Sequence, residues 1–422
     1  IPPNPLTDTP RLAHCPWQTI GRFRGILRPG TSKMTLLHKL STSALAAPES
    51  GIVSLVNYAR GREGLIPLWV GEGDLATPSF ITDAARRSLD AGETFYTWQR
   101  GLPELRQALA DYVGGLYALD LTADRFFVTG SGMHAIQIAV DLVAGAGDEL
   151  AYIGPLWPNF AAAADLSGAR AVEVLLDERD GTWSLDLDRL RAAIGPRTKA
   201  IFVNSPNNPT GWTADIDTLR AILEMARAAG IFIIADEIYG RFFYEGGRAP
   251  SFHDVMQPDD AILFVNSFSK NWAMTGWRVG WIEAPTEFGD VIENLVQYSN
   301  SGVAPFMQRA AIAALREGEE FVEGQIARAR TARDIFCETL RATNRIALTT
   351  PAGAFYAFFA IDGIVDARAA AIRIVDEAGV GLAPGAAFGN SAAPYMRACF
   401  NRRLDEVEEA AARIARWVRQ AA

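Results

Sequence analysis

Lys270 stands in a run whose residue types suit the capture of a phosphorylated carbonyl compound: Ser267-Phe-Ser-Lys-Asn-Trp-Ala-Met-Thr-Gly-Trp-Arg-Val-Gly280. The apolar stretch Ala261 to Val265 precedes it and reads as a buried strand ending in a polar turn. An amine fixed just past that strand end, among Trp272 and Met274, loses hydration of its charged form. Under that condition lysine becomes a nucleophile. Ser267 and Ser269 add two neutral donors and Arg278 a planar cation, a set matched to a dianionic phosphate monoester. An amine beside a phosphate cradle points to pyridoxal phosphate.

The elements that must position this run are three strands. Ala200 to Val203 ends in Asn204-Ser-Pro-Asn-Asn208-Pro-Thr-Gly211, Ile231 to Ala235 ends in Asp236-Glu-Ile-Tyr239, and Ala261 to Val265 ends at the lysine run. A helical pattern through Leu219, Ile222, Leu223 and Ala226 separates the first two. Alternating strands and helices imply parallel strands, whose carboxyl ends share one ligand-binding edge. Upstream, Phe126 to Val143 reads as strand, turn and helix, with Gly130-Ser131-Gly132-Met133 opening the helix where free N–H groups bind phosphate. Gly130-x-Gly132-x-x-Ala135 also fits a dinucleotide fingerprint, but Asp148 and Glu149 precede the next apolar run where that fingerprint wants an acid at its end. The turn is therefore assigned to pyridoxal phosphate. In the alternating strand Tyr395 to Phe400, Arg397 points with apolar company, which is costly without an anion.

Taken in order, these segments resemble the class I and II aminotransferases, pyridoxal phosphate enzymes of fold type I. The resemblance runs from about Ser41 to the last helix. It implies an α/β fold with a large domain built on a mostly parallel sheet flanked by helices, plus a smaller α/β domain. It implies that Lys270 carries the cofactor and moves the substrate's proton, that Asp236 keeps the pyridine nitrogen protonated, and that Asn208 and Tyr239 hold the phenolic oxygen. Trp157, in the proline-bounded loop Gly154 to Phe160, matches the aromatic that stacks on the ring. Ser131, Gly132, Met133, Ser267, Ser269 and Arg278 match the phosphate site, completed by Tyr96 from the neighbouring subunit of a homodimer with shared active sites. Gly71, in Gly71-Glu-Gly-Asp74, matches a substrate-contacting glycine, with Gly73 where the family has proline. Arg397 matches the arginine that clamps the substrate's carboxylate.

Composition sets the outer limits. With 422 residues and 49% hydrophobic residues the chain can fill two cores. A net charge of −9 and a pI near 5.2 argue against nucleic acid as a partner. Cys15, Cys337 and Cys399 are far apart and odd in number, which suits a reducing cytoplasm better than a disulfide framework. No apolar run reaches the roughly 20 residues that span a bilayer, and the scattered histidines have no metal-ligand spacing. The expected division is an irregular extension over 1–33, an arm over 34–65, a large cofactor-binding domain over 66–306 and a small domain over 307–422. Leu36, Leu37 and Leu40 have helical spacing, so the working protein is expected to begin at Met34.

Substrates implied by the resemblance are an amino acid and a 2-oxo acid, exchanged in a ping-pong reaction. Lyases and decarboxylases use the same constellation, and some transcription regulators carry a related domain behind a DNA-binding module for which the first 33 to 50 residues leave too little chain. An aspartate-using branch of the family has lysine at the position of Met133, pairing with the distal carboxylate. Methionine offers no charge there, and Arg100 is the candidate substitute cation. The expectation is that apolar or aromatic donors are preferred to aspartate, with 2-oxoglutarate or pyruvate as acceptors.

Overall fold

The computed structural model describes residues 36–420. The expectations about an extension over 1–33 and a start at Met34 lie outside them. Leu36–Lys39 forms a single 3₁₀ turn with all four residues exposed, so the helical spacing of the leucines does not produce a buried face. One turn is too short to nucleate an α-helix by itself.

Among the described residues fourteen strands follow in chain order: β1 (Ile66–Pro67), β2 (Phe126–Thr129), β3 (Glu149–Gly154), β4 (Arg170–Arg179), β5 (Thr182–Leu185), β6 (Thr198–Asn204), β7 (Phe232–Asp236), β8 (Ile262–Ser267), β9 (Gly280–Glu283), β10 (Ile346–Leu348), β11 (Tyr356–Ile361), β12 (Val380–Gly381), β13 (Ala383–Pro384) and β14 (Tyr395–Cys399). The main sheet has the order β2-β9-β8-β7-β6-β3-β4-β5. Its centre is parallel from β8 through β7, β6 and β3 to β4, while β9 runs against both β2 and β8 and β5 against β4. A second sheet, β10-β11-β14-β13, is antiparallel, and β1 pairs with β12.

The continuous apolar runs of β6, β7 and β8 reflect helices covering both faces of the sheet, since nearly every residue in them is buried. Between β6 and β7 the helix Ile216–Ala229 buries Leu219, Ile222, Leu223 and Ala226 on one stripe. Asp215 caps its start by accepting from Thr218 N at 2.7 Å, and Gly230 ends it in the left-handed conformation at φ 64°. Parallel crossovers of this kind bring the ends of β6, β7 and β8 side by side, with Asn204 opposite Asp236 and Asp236 opposite Val265. The second sheet packs under the helices Glu319–Arg341 and Leu404–Gln420, whose apolar stripes include Phe336, Leu340, Val407, Ala411 and Ile414. Among the described residues no helix is long and apolar enough to cross a membrane.

Candidate active site

A cavity of about 680 Å³ opens beyond the carboxyl ends of β6, β7 and β8. Gly71, Gly132, Met133, Trp157, Asn208, Asp236 and Tyr239 line it together with Ser267, Ser269, Lys270, Arg278 and Arg397. Twelve positions scattered from 71 to 397 in sequence thus share one space.

Lys270 lies in the one-turn helix Phe268–Asn271 at the end of β8, and its Nζ donates to Gly71 O at 2.5 Å. Burial strips water from the ammonium and lowers its pKa to about 8. Gly71 has to be glycine for this contact, because a Cβ there would sit 2.4 Å from the Tyr356 hydroxyl. Asp236 ends β7, is buried, and accepts from Ile238 N at 3.2 Å. Desolvation raises its pKa to about 7, opposed by that hydrogen bond. The Tyr239 and Tyr356 hydroxyls lie 2.7 Å apart, and burial drives both phenol pKa values upward.

The phosphate-type donors gather at the other end. Ser131 caps the helix Gly132–Val143 by accepting from His134 N at 3.0 Å, so the helix N-terminus faces the cavity through Gly132 and Met133 while the Ser131 hydroxyl is turned into the cap. Ser267 and Ser269 hydroxyls are 2.8 Å apart. Gly280 on β9 lets these parts close up, since a Cβ there would lie 2.7 Å from Gly132 N. Arg278 adopts a left-handed φ of 55°, donates to Thr275 O at 2.6 Å, and has its pKa lowered by burial.

Arg397 projects from β14 and is only 2% exposed. Its Nη1 donates to Asn208 Oδ1 at 3.0 Å and its Nη2 to Trp69 O, while Nε is buried without a partner. The guanidinium is held between the rings of Tyr356 and Phe388 at 4.5 and 4.9 Å. No carboxylate pairs with Arg278 or Arg397 among the described residues. In place of a carboxylate, the Arg397 guanidinium is held by an amide, a backbone carbonyl and two ring faces, with Nε left over.

Two predicted positions stand apart. Tyr96 is 95% exposed and does not line the cavity of its own chain, and Arg100 is held by Glu293 at 2.7 Å and Asp290 at 2.6 Å. Arg100 is therefore not a free cation for a second carboxylate, which removes the substitute considered from sequence. Several lining residues carried no signal. Tyr356 and Trp69 sit in runs that read simply as apolar core, and the helix Gly51–Tyr58 contributes Ile52, Val53 and Val56 to the wall. Asn204, the first residue of the Asn-rich run, was legible as a motif member only: its Oδ1 accepts from Asn208 N at 2.8 Å and its Nδ2 donates to Asp236 O at 3.1 Å.

The residues fit pyridoxal phosphate on their own chemistry: a buried amine, a buried carboxylate, two hydroxyls with an arginine at a helix start, and a second arginine with an orphaned Nε. Among the described residues no three His, Cys, Asp or Glu side chains group to hold a metal ion.

Comparison with known proteins agrees. The model of "Aminotransferase class I and II" matches residues 63–414. The chain is 33% identical to the aspartate aminotransferase of Pyrococcus horikoshii over 381 residues, 89% of this chain and 96% of that one. It is 30% identical to aromatic-amino-acid aminotransferase 2 of Thermococcus litoralis over 377 residues, 88% of this chain and 96% of the relative. The solved alanine aminotransferase of Pyrococcus furiosus superposes with a TM-score of 0.85 at 30% identity, covering 90% of this chain and 100% of that one. The fold type I architecture and the pyridoxal 5′-phosphate cofactor expected from sequence are those of these enzymes. This chain belongs to the class I and II aminotransferase family, pyridoxal phosphate-dependent transferases that exchange amino groups between amino acids and 2-oxo acids.

Proposed function

We propose that this aminotransferase takes L-amino acids with apolar or aromatic side chains in preference to aspartate, and passes the amino group to 2-oxoglutarate or pyruvate in a ping-pong reaction. The observation that carries the reading is the lining of the cavity around Arg397. Ile52, Val53, Val56, Trp69 and Val70 supply apolar surface, Met133 supplies no charge, Arg100 is tied to two carboxylates outside, and Arg60, which shares the lining, donates to Asn57 Oδ1 at 2.7 Å. A second carboxylate on the apolar stretch would lose hydration at a cost of at least ~2 kcal/mol, and Arg60 would have to leave Asn57 to meet it. The relatives' names span aspartate, aromatic amino acids and alanine as donors, so donor choice rests on this chain's own lining.

In this reading bound pyridoxal phosphate supplies a sink for the electron pair left when the donor's Cα loses its proton. Lys270 Nζ would be the covalent attachment point and, once displaced by the donor amine, the base that accepts the Cα proton. Asp236 would hold a proton on the pyridine nitrogen, Asn208 and Tyr239 would bind the phenolic oxygen, and Trp157 would stack on the ring. Gly132 and Met133 N–H groups, Ser267, Ser269 and Arg278 would bind phosphate, with Ser131 shaping the helix start. Arg397 would clamp the α-carboxylate, with Asn208 holding its guanidinium and Gly71 bounding the substrate's approach. The exposed Tyr96, beside exposed Phe95 and Trp98, supports a homodimer in which it reaches the neighbouring phosphate. The proposed division is a large domain over 66–306 and a small one over 307–422 with an arm over 34–65, acting in the cytoplasm. Measuring kcat/KM for leucine, methionine, phenylalanine and aspartate tests the donor preference: aspartate at or above the apolar donors would overturn it.

A further inference from the structure

The sheet that carries the reactive residues has a second polar chamber on its opposite side. Along the chain, neighbours divide between the two spaces: Asp236, Val265 and Lys270 line the large cavity, whereas Glu237, Asn266 and Asn271 line a chamber of about 30 Å³ beneath. Side chains alternate across an extended backbone, which divides Asp236 from Glu237 and Val265 from Asn266, while the helical turn Phe268–Asn271 turns Asn271 away from Lys270.

His253 is the centre of that chamber. Its ring is stacked on Phe264 at 3.7 Å and on Tyr117 at 4.4 Å. Nε2 lies 2.8 Å from Glu283 Oε2, and Nδ1 lies 2.9 Å from Ser251 Oγ, whose own proton goes to Glu237 at 2.7 Å. Each ring nitrogen therefore faces an acceptor, and the ring donates from both sides as an imidazolium. Burial works against this charge, but the Glu283 and Glu237 carboxylates outweigh it and raise the pKa to about 9. The groups around His253 are Glu237, Glu283 with its partner Arg125, Tyr117 beneath Arg248, Asp254, and across the chamber Arg241 with Glu319 and Tyr112. Asn271 and Arg241 both line the chamber, and Asn271 Oδ1 and Arg241 Nε are buried without a protein partner.

We propose that His253 is a positioning residue for the reaction: through Ser251 and Glu237 it fixes the backbone at Asp236, while Asn271, on the wall of the same chamber and held at its carbonyl by Gln325 Nε2 at 2.7 Å, fixes the turn at Lys270. None of the residues that line the chamber lines the large cavity. Its effect is to hold a carboxylate and an amine on neighbouring strand ends at a constant separation. The inference rests on the assignment of Asp236 and Lys270 made above.

The test compares His253→Phe, which keeps the stacking, and Ser251→Ala, which cuts the link to Glu237, with the parent holoenzyme. The readouts are the pH midpoint of the bound cofactor's absorbance change and the separate kcat and KM. For His253→Phe the midpoint moves by about 0.5 unit or more, and kcat falls at least ~10-fold while KM for the amino donor stays within about twofold. Ser251→Ala shifts the midpoint in the same direction by less. An unmoved midpoint and kcat, with only Tm lowered, would overturn the proposal, and if His253→Phe does not fold Ser251→Ala decides in the same way. A Lys270→Ala control separates the two layers: loss of attached cofactor there beside an unmoved His253→Phe enzyme sinks this inference alone.

Discussion

Arg397 Nη1 donates to Asn208 Oδ1 across 3.0 Å, joining β14 of the second sheet to the turn that ends β6 of the first. The bond spans 189 positions of sequence, and Nε of the same guanidinium is buried without a partner. Replacing Arg397 by lysine keeps the charge but removes the planar fork. Arg397→Lys should lower kcat/KM for every donor by about 30-fold or more, with cofactor absorbance retained. Equal loss of cofactor binding in that variant would place Arg397 in the cofactor site and remove its substrate role.

Asp236 makes an opposite demand on stability and chemistry. Its folded-state pKa of about 7 lies above the ordinary 3.8, so between these values the native state binds more protons than the unfolded one. Stability of the cofactor-free protein therefore falls as pH rises through that window. Lys270, lowered from 10.5 to about 8, runs the other way and adds stability as pH rises from about 8. Asp236→Asn should raise the Tm of cofactor-free protein at pH 8, leave it little changed near pH 4, and lower turnover of the holoenzyme by orders of magnitude. A lower Tm at both pH values would mean that Asp236 is a stabilising cap at the strand end.

How far this was visible in the sequence depended on whether a residue's role was local. The lysine run, the Asn-rich turn and Asp236 announce themselves because each follows a short, wholly apolar strand, and parallel strands place such ends together. Arg397 was legible from alternation in β14 alone. Tyr356 and Trp69 were not, since a buried tyrosine and a backbone carbonyl look like any other part of an apolar run. Arg100 misled for a related reason: its partners Asp290 and Glu293 lie some 190 positions away, beyond any local pattern. Leu36, Leu37 and Leu40 kept helical spacing in a segment too short to use it.

Met133 gives the donor preference a direct test. Met133→Lys should raise kcat/KM for aspartate relative to leucine by about tenfold or more, the equivalent of ~1.4 kcal/mol. An unchanged ratio would show that the residue after the phosphate-turn glycine does not meet the donor's side chain.

Tyr96 offers a test of assembly. With Tyr96, Phe95 and Tyr298 at 95%, 82% and 87% exposure, the single chain leaves large aromatic faces bare. Light scattering at assay concentration should give a dimer, and Tyr96→Ala should weaken cofactor affinity by about tenfold. Full activity in a monomeric fraction would withdraw the shared site.

The chain contains four lysines, at 33, 39, 199 and 270, which makes the central assignment open to a single measurement. Borohydride reduction of the holoenzyme fixes pyridoxal phosphate to its lysine, and peptide mapping then identifies the residue. The label should lie on Lys270 and vanish in Lys270→Ala together with the bound cofactor's absorbance. Label on Lys33, Lys39 or Lys199 in the parent enzyme, or covalent cofactor persisting in Lys270→Ala, would contradict the account.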